Sequence, residues 1–150
     1  METIDLLKKN LLFKGCTRED FELLSGLFVE RKVSANTAIF NEKMPGEALY
    51  IIKSGEIRIS LMAGEGEEVG LLKLGPGDFF GEIALLQESS RAVTARSETA
   101  AEVIMLSRKD FLALMDLDPR VAAKVTLSIA RLLAMRVKAY SNKLREYLLS

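Results

Sequence analysis

The chain has 150 residues, 49% hydrophobic and 28% charged, which suits one globular domain with a real core. Its 21 basic and 21 acidic residues cancel to a formal charge of zero, so no global attraction to nucleic acid or an acidic membrane is built in. Histidine is absent, which removes the commonest general base, the commonest metal ligand and the usual partner of a Ser or Cys nucleophile. No carboxylate pair or cysteine cluster replaces it. The composition therefore points to a binding module, not an enzyme, with no metal and no resident cofactor. The single Cys16 excludes an internal disulfide and suits a reducing compartment. With no basic n-region followed by an apolar stretch at the start, and no apolar run of spanning length, a cytoplasmic protein is expected.

Residues 4–13 place Ile4, Leu7, Leu11 and Leu12 at helical spacing, and Gly15 ends the run. Thr17 before Arg18-Glu19-Asp20 and the apolar Phe21, Leu24 and Leu27 reads as the capped start of a second helix. From Phe28 the period changes to two. Residues 28–33, 37–40, 49–53, 56–61 and 68–74 are strand-like runs, separated by turns such as Pro45-Gly46, Ser54-Gly55 and Gly75-Pro76-Gly77. Within 56–61, Ile57, Ile59 and Leu61 share one face and Arg58 and Ser60 the other, as in a half-buried strand. This punctuation predicts an antiparallel sandwich or barrel. Residues 100–106 form another strand pattern. Ser107 caps a helix start before Phe111, and Asp118-Pro119 opens a long final helix with no Gly or Pro as far as residue 148. Leu133, Val137, Tyr140, Leu144 and Tyr147 form a short seam on it, one that a partner helix could use to make a homodimer.

The stretch 79–95, Phe-Phe-Gly-Glu-Ile-Ala-Leu-Leu-Gln-Glu-Ser-Ser-Arg-Ala-Val-Thr-Ala, carries the chemistry. Gly81 permits a backbone angle or close approach that a side chain forbids. A helical turn over 82–86 would aim its first amides at one spot, and Arg91 adds a cationic fork suited to two phosphate oxygens. Glu82 only accepts hydrogen bonds, so its natural partner is a hydroxyl. An anion and an alcohol together describe a ribose phosphate. The plainer alternative is a Glu82–Arg91 salt bridge across a loop.

Gly81-Glu82-Ile83-Ala84, then six residues, then Arg91-Ala92, preceded by Leu49-Tyr50-Ile51-Ile52-Lys53-Ser54-Gly55, resembles the cyclic-nucleotide-binding domain family. That family includes catabolite activator protein and protein kinase A regulatory subunits. The resemblance runs over roughly the whole chain. It implies an α+β, mainly β fold: a jelly-roll-like antiparallel β-roll (28–107) behind N-terminal helices (1–27), followed by C-terminal helices (108–150). It makes 79–95 the phosphate-binding cassette. By the same resemblance Glu82 binds the ribose 2′-hydroxyl, the amides of Ile83, Ala84 and Ala92 meet the cyclic phosphate, and Arg91 neutralises it. Ala92, where Thr favours guanine, leans toward cAMP over cGMP, and the final helix puts Leu133, Arg136 and Val137 near the base. Two positions depart from the family pattern. Val93 stands where Ala is usual, and Lys43 where Gly is frequent.

The resemblance implies a sensor whose C-terminal helix moves with the ligand. The competing class is a dimerisation or scaffolding module of the same fold that binds no cyclic nucleotide, or a different small ligand. The chain ends about where a helix-turn-helix begins in transcription factors of the family, which reads as a stand-alone domain or as a piece of a longer protein.

Overall fold

The computed structural model describes residues 2–64 and 66–149. In chain order these form α1 (Thr3–Lys8), a 3-10 turn (Leu11–Phe13), α2 (Arg18–Ser25), β1 (Val29–Val33), β2 (Ala38–Phe40), β3 (Ala48–Ser54), β4 (Ile57–Ala63) and β5 (Glu67–Leu74). There follow β6 (Phe79–Phe80), α3 (Ile83–Leu86), β7 (Thr94–Ser97), β8 (Ala101–Ser107), α4 (Arg108–Leu117) and α5 (Pro119–Leu149). The strands make two antiparallel sheets, ordered β1-β8-β3-β6 and β2-β7-β4-β5. This is the β-roll that the turn-punctuated strand pattern and the family resemblance imply.

Strands β3 and β8 explain why the roll and the helices form one body. A strand points successive side chains to opposite faces. In β3, Tyr50 and Ile52 enter a core between the two sheets, while Leu49 and Ile51 enter a second core under the helices. In β8, Val103 joins the first core and Ile104 and Leu106 the second. Both strands therefore read as nearly continuous apolar runs, the signature of a sheet covered on two sides. Phe111 and Leu114 of α4 and Val121, Val125 and Ile129 of α5 complete the helical core.

Capping fixes where the helices begin. The Thr17 hydroxyl accepts from the Asp20 amide and the Asp20 carboxylate accepts from the Thr17 amide, a closed capping box. Asp20 is only 2% exposed, and its carboxylate also takes Arg120 and Lys124 of α5 at 2.9 Å each. Burial pushes the Asp20 carboxyl up, but the Thr17 amide, Lys124 and Arg120 outweigh it and hold it well below the usual carboxylate range. This cluster pins the first half of α5 to α2.

Several sequence expectations are corrected. The first predicted helix, 4–13, stops at Lys8, because the Asn10 side chain accepts from the Leu12 amide and donates to Gly77 O, closing a separate 3-10 turn. In β4, Ser60 is fully buried and Leu61 emerges partly exposed, against the simple alternation. A register shift at Ile59/Ser60 turns the hydroxyl toward Glu68, which accepts from it at 2.7 Å. Strand β6 opens the predicted cassette and β7 straddles its end, where no strand was expected. Along α5, burial ends early: Val121, Ala122, Val125, Ser128 and Ile129 are buried, Leu132 and Leu133 are partly buried, and residues 134–149 are all exposed. Leu133 packs on the helical core and so leaves the predicted seam, while Val137, Tyr140, Leu144 and Tyr147 remain on the surface.

Candidate functional site

A cavity of about 410 Å³ opens between the β4–β5 sheet, the segment from Phe79 to Val93 and the middle of α5. Its floor begins with Gly81, whose φ of 79° lies in the left-handed region. A Cβ there would stand 2.8 Å from Nη1 of Arg91 and 2.9 Å from Ala48 O, so glycine is required on two counts. Helix α3 follows as a single turn, in which the Ala84 amide donates to Gly81 O at 3.2 Å and the Leu85 amide to Glu82 O at 3.1 Å. The predicted helical turn is present, with the Ala84 amide engaged by its own backbone.

Arg91 is the centre of the site. It is 8% exposed, yet no carboxylate lies within ion-pair distance of it among the described residues. Its Nη2 donates to Ala48 O at 2.8 Å and its Nη1 to Gly81 O at 3.3 Å. The guanidinium carbon lies 4.0 Å from the centre of the Phe40 ring and 5.8 Å from that of Tyr50. Nε is buried with no hydrogen-bond partner. Burial lowers the guanidinium pKa from its ordinary value, and Tyr50, Glu47 and Glu82 oppose that shift. A buried cation held by neutral carbonyls and aromatic faces, with its Nε nitrogen left without a partner, is an arrangement that an anion completes.

Glu82, 7% exposed, does not pair with Arg91, which removes the loop salt bridge as an alternative. It pairs with Arg136 of α5 instead. Arg136 also stands 5.8 Å over the Phe79 ring, so the helix covers the carboxylate end of the cavity. Tyr140, one turn further on, joins the lining. Of the three α5 residues expected near the base, only Arg136 reaches the cavity. Val137 is 64% exposed and points elsewhere, because α5 presents the 136/140 edge to the roll. Ile83 and Ala92 are exposed at the rim, and Val93 is half-buried against the roll core.

The backbone around Arg91 is locked from the β2–β3 loop. The Arg91 amide donates to Met44 O at 2.7 Å, the Lys43 amide to Arg91 O at 2.8 Å, and the Gly46 amide to Ser89 O at 2.9 Å. Lys43 makes this turn with φ 73°, a conformation natural to glycine. A Cβ on Gly46 would meet Ala84 Cβ at 3.2 Å and Ser89 O at 3.3 Å, so the backbone here runs close against the cassette. Sequence reading missed Phe40, Gly46 and Tyr140 as site residues. Pro45-Gly46 was taken as an ordinary turn, Phe40 as the end of a strand-like run, and Tyr140 as a seam residue.

The geometry agrees with what the chain is similar to. The cyclic nucleotide-binding domain family matches residues 30–118, more than half of the chain. The cyclic AMP receptor protein of Thermus thermophilus is 35% identical over 83% of this chain, which spans 58% of that protein's length. The N-terminal domain of a transcriptional regulator from Streptomyces coelicolor superposes with a TM-score of 0.81 at 26% identity, covering 91% of this chain and 95% of that one. The regulatory domain of Toxoplasma gondii PKA with cAMP superposes with a TM-score of 0.69 at 36% identity, over 75% of this chain and 42% of its own. A roll with a buried, anion-ready arginine beside a covered glutamate, matched over most of its length by these relatives, belongs to the cyclic nucleotide-binding domain family.

Proposed function

We propose that the domain binds cAMP, in preference to cGMP, and serves as a cytoplasmic sensor without catalytic activity of its own. The observation that carries this reading is Arg91: buried, without a carboxylate partner among the described residues, and with Nε unsatisfied. A cyclic phosphate supplies the missing negative charge. Gly81, Ile83, Ala84, Ala92 and Val93 shape the phosphate end, and Glu82 takes the ribose hydroxyl. Support for cAMP comes from Ala92 after the arginine and from the relatives described as a cyclic AMP receptor protein and as a regulatory domain with cAMP.

Glu82 is held by Arg136 in this structure, so a ribose hydroxyl arriving there competes with the helix or shares the carboxylate with it. The ligand thereby favours one position of α5 over another, since equilibria shift only through differential contacts. Arg136 is half exposed but Glu82 is buried, so the pair yields only to a ligand that itself satisfies the carboxylate, as a ribose hydroxyl would. The same pair is what favours the second reading, an interaction module whose pocket is closed by its own helix. Calorimetry with cAMP and cGMP separates the two: no heat with either nucleotide abandons the sensor reading. If the nucleotide binds, amide exchange in 118–148 should change, and identical exchange with and without it removes the coupling. The exposed Val137 and Leu144 support a homodimer through α5, and the zero formal charge supports no nucleic-acid contact from this chain alone. Leu144→Asp leaving the sedimentation mass unchanged counts against that interface.

A further inference from the structure

Arg108, the first residue of α4, plays no part in the ligand reading above, yet its side chain reaches the cassette. Its Nη1 donates to Gly46 O at 2.8 Å and to Ala84 O at 3.1 Å, and lies 3.5 Å from Gln87 O. The Arg108 amide donates to Glu47 O at 2.8 Å. An exposed Glu88 adds only a 3.7 Å ion pair. The four-residue helix α3 is too short to hold itself, since the last carbonyls of a helix have no internal partner. Here one cation takes the Ala84 carbonyl of that helix and the Gly46 carbonyl of the β2–β3 loop at once.

The two arginines work on one backbone frame from opposite sides. Arg91 takes Ala48 O and Gly81 O, while Arg108 takes Gly46 O and Ala84 O. Gly46 lies between them, because a Cβ there would also come within 3.4 Å of the Arg91 guanidinium carbon. An anion that draws Arg91 toward itself weakens its hold on Ala48 and Gly81. Arg108 then remains to keep the turn in register.

We infer that Arg108 is a positioning residue: it orders the α3 turn for the ligand and ties that turn to the start of α4. Because α4 packs directly on α5, this gives the cassette a mechanical link to the C-terminal helices independent of the Glu82–Arg136 contact. The inference rests on the cyclic-nucleotide reading for its effect on affinity, but its effect on the turn stands without a ligand.

The test compares the unaltered chain with Arg108→Met and Arg108→Lys by calorimetry with cAMP, thermal unfolding, and amide exchange without ligand. Binding by the unaltered chain tests the cyclic-nucleotide reading alone. Arg108→Met should raise Kd at least tenfold and speed exchange in 83–87 while leaving exchange in 121–129 unchanged, and Arg108→Lys should recover part of the affinity. A Kd within twofold of the unaltered chain in both variants overturns the inference, as does a fall in Tm with the Kd of the folded protein unchanged. Should Arg108→Met fail to fold, Arg108→Lys decides: a Kd at least threefold higher at unaltered Tm supports positioning, and one within twofold refutes it. If the unaltered chain binds neither nucleotide, unchanged exchange in 83–87 in both variants refutes the ordering role by itself.

Discussion

Replacing Arg91 with methionine separates what the site does for the ligand from what it does for the fold. In the free protein the change removes a buried charge whose desolvation costs several kcal/mol. It keeps an unbranched side chain against Phe40, where the cation now sits 4.0 Å from the ring centre. Against this, Ala48 O and Gly81 O lose their donors, at about 1–3 kcal/mol each. The two sides nearly cancel, so the stability of the ligand-free variant should lie within about 2 kcal/mol of the parent. Ligand binding has no such compensation. Removing a buried charged partner of the phosphate costs about 2–5 kcal/mol, or about 30- to 5,000-fold in Kd. At 100 times its Kd, cAMP should add about 2.7 kcal/mol to the parent, a rise in Tm of about 5–11 °C. The same concentration should add at most about 0.9 kcal/mol to Arg91→Met, a rise of no more than about 3 °C. Thermal unfolding with and without nucleotide reads both quantities. An equal ligand-induced shift in the two proteins refutes the role of Arg91, and a variant that is unfolded at 25 °C refutes the balance of terms.

Gly81→Ala should lower both stability and affinity, because the added methyl meets Ala48 O and Arg91 Nη1 below 3 Å in a backbone conformation costing about 1–2 kcal/mol for an L residue; calorimetry and denaturant unfolding check both effects. Lys43→Gly should work the other way and stabilise by about 0.5–1 kcal/mol in urea unfolding, since Lys43 already holds φ 73°. Asp20→Asn should cost about 1–3 kcal/mol at neutral pH by replacing the charged acceptor of Arg120, Lys124 and the Thr17 amide with a neutral one. Because the Asp20 carboxyl titrates below its unfolded value near pH 4, its contribution is complete above that pH and is lost as the pH falls further. Unfolding curves between pH 7 and pH 2 should therefore show the difference between parent and variant shrinking on the acid side.

The roll was legible because its strands alternate and its turns are chemically marked, as at Ser54-Gly55 and Gly75-Pro76-Gly77. Strand β7 was not, because Thr94–Ser97 is short, mixed in polarity and adjoins a functional segment whose local pattern serves the site. Gly81, Glu82 and Arg91 stood out as unusual residue types for their surroundings, and the structure puts all three at one cavity. The contribution of α5 was harder to read. Choosing Arg136 and Tyr140 over Leu133 and Val137 depends on the rotation of a helix about its own axis, which is set by Val121, Val125 and Ile129 packing about two to four turns before Arg136. Arg108 was hidden for a similar reason, since its partners are carbonyl oxygens, and a main-chain acceptor leaves no mark in a sequence.

The uneven burial of α5 gives it a clamped arm and an exposed arm. Asp20 and the helical core hold the part before Leu133, and the exposed part beyond it runs about 24 Å at the usual rise of 1.5 Å per residue. A tilt of about 10° at the fulcrum carries its tip through about 4 Å by that length. In such a tilt Arg136, three residues past the fulcrum, would shift by less than about 1 Å and Tyr140 by about 2 Å, while Leu148 and Leu149 at the far end would travel farthest.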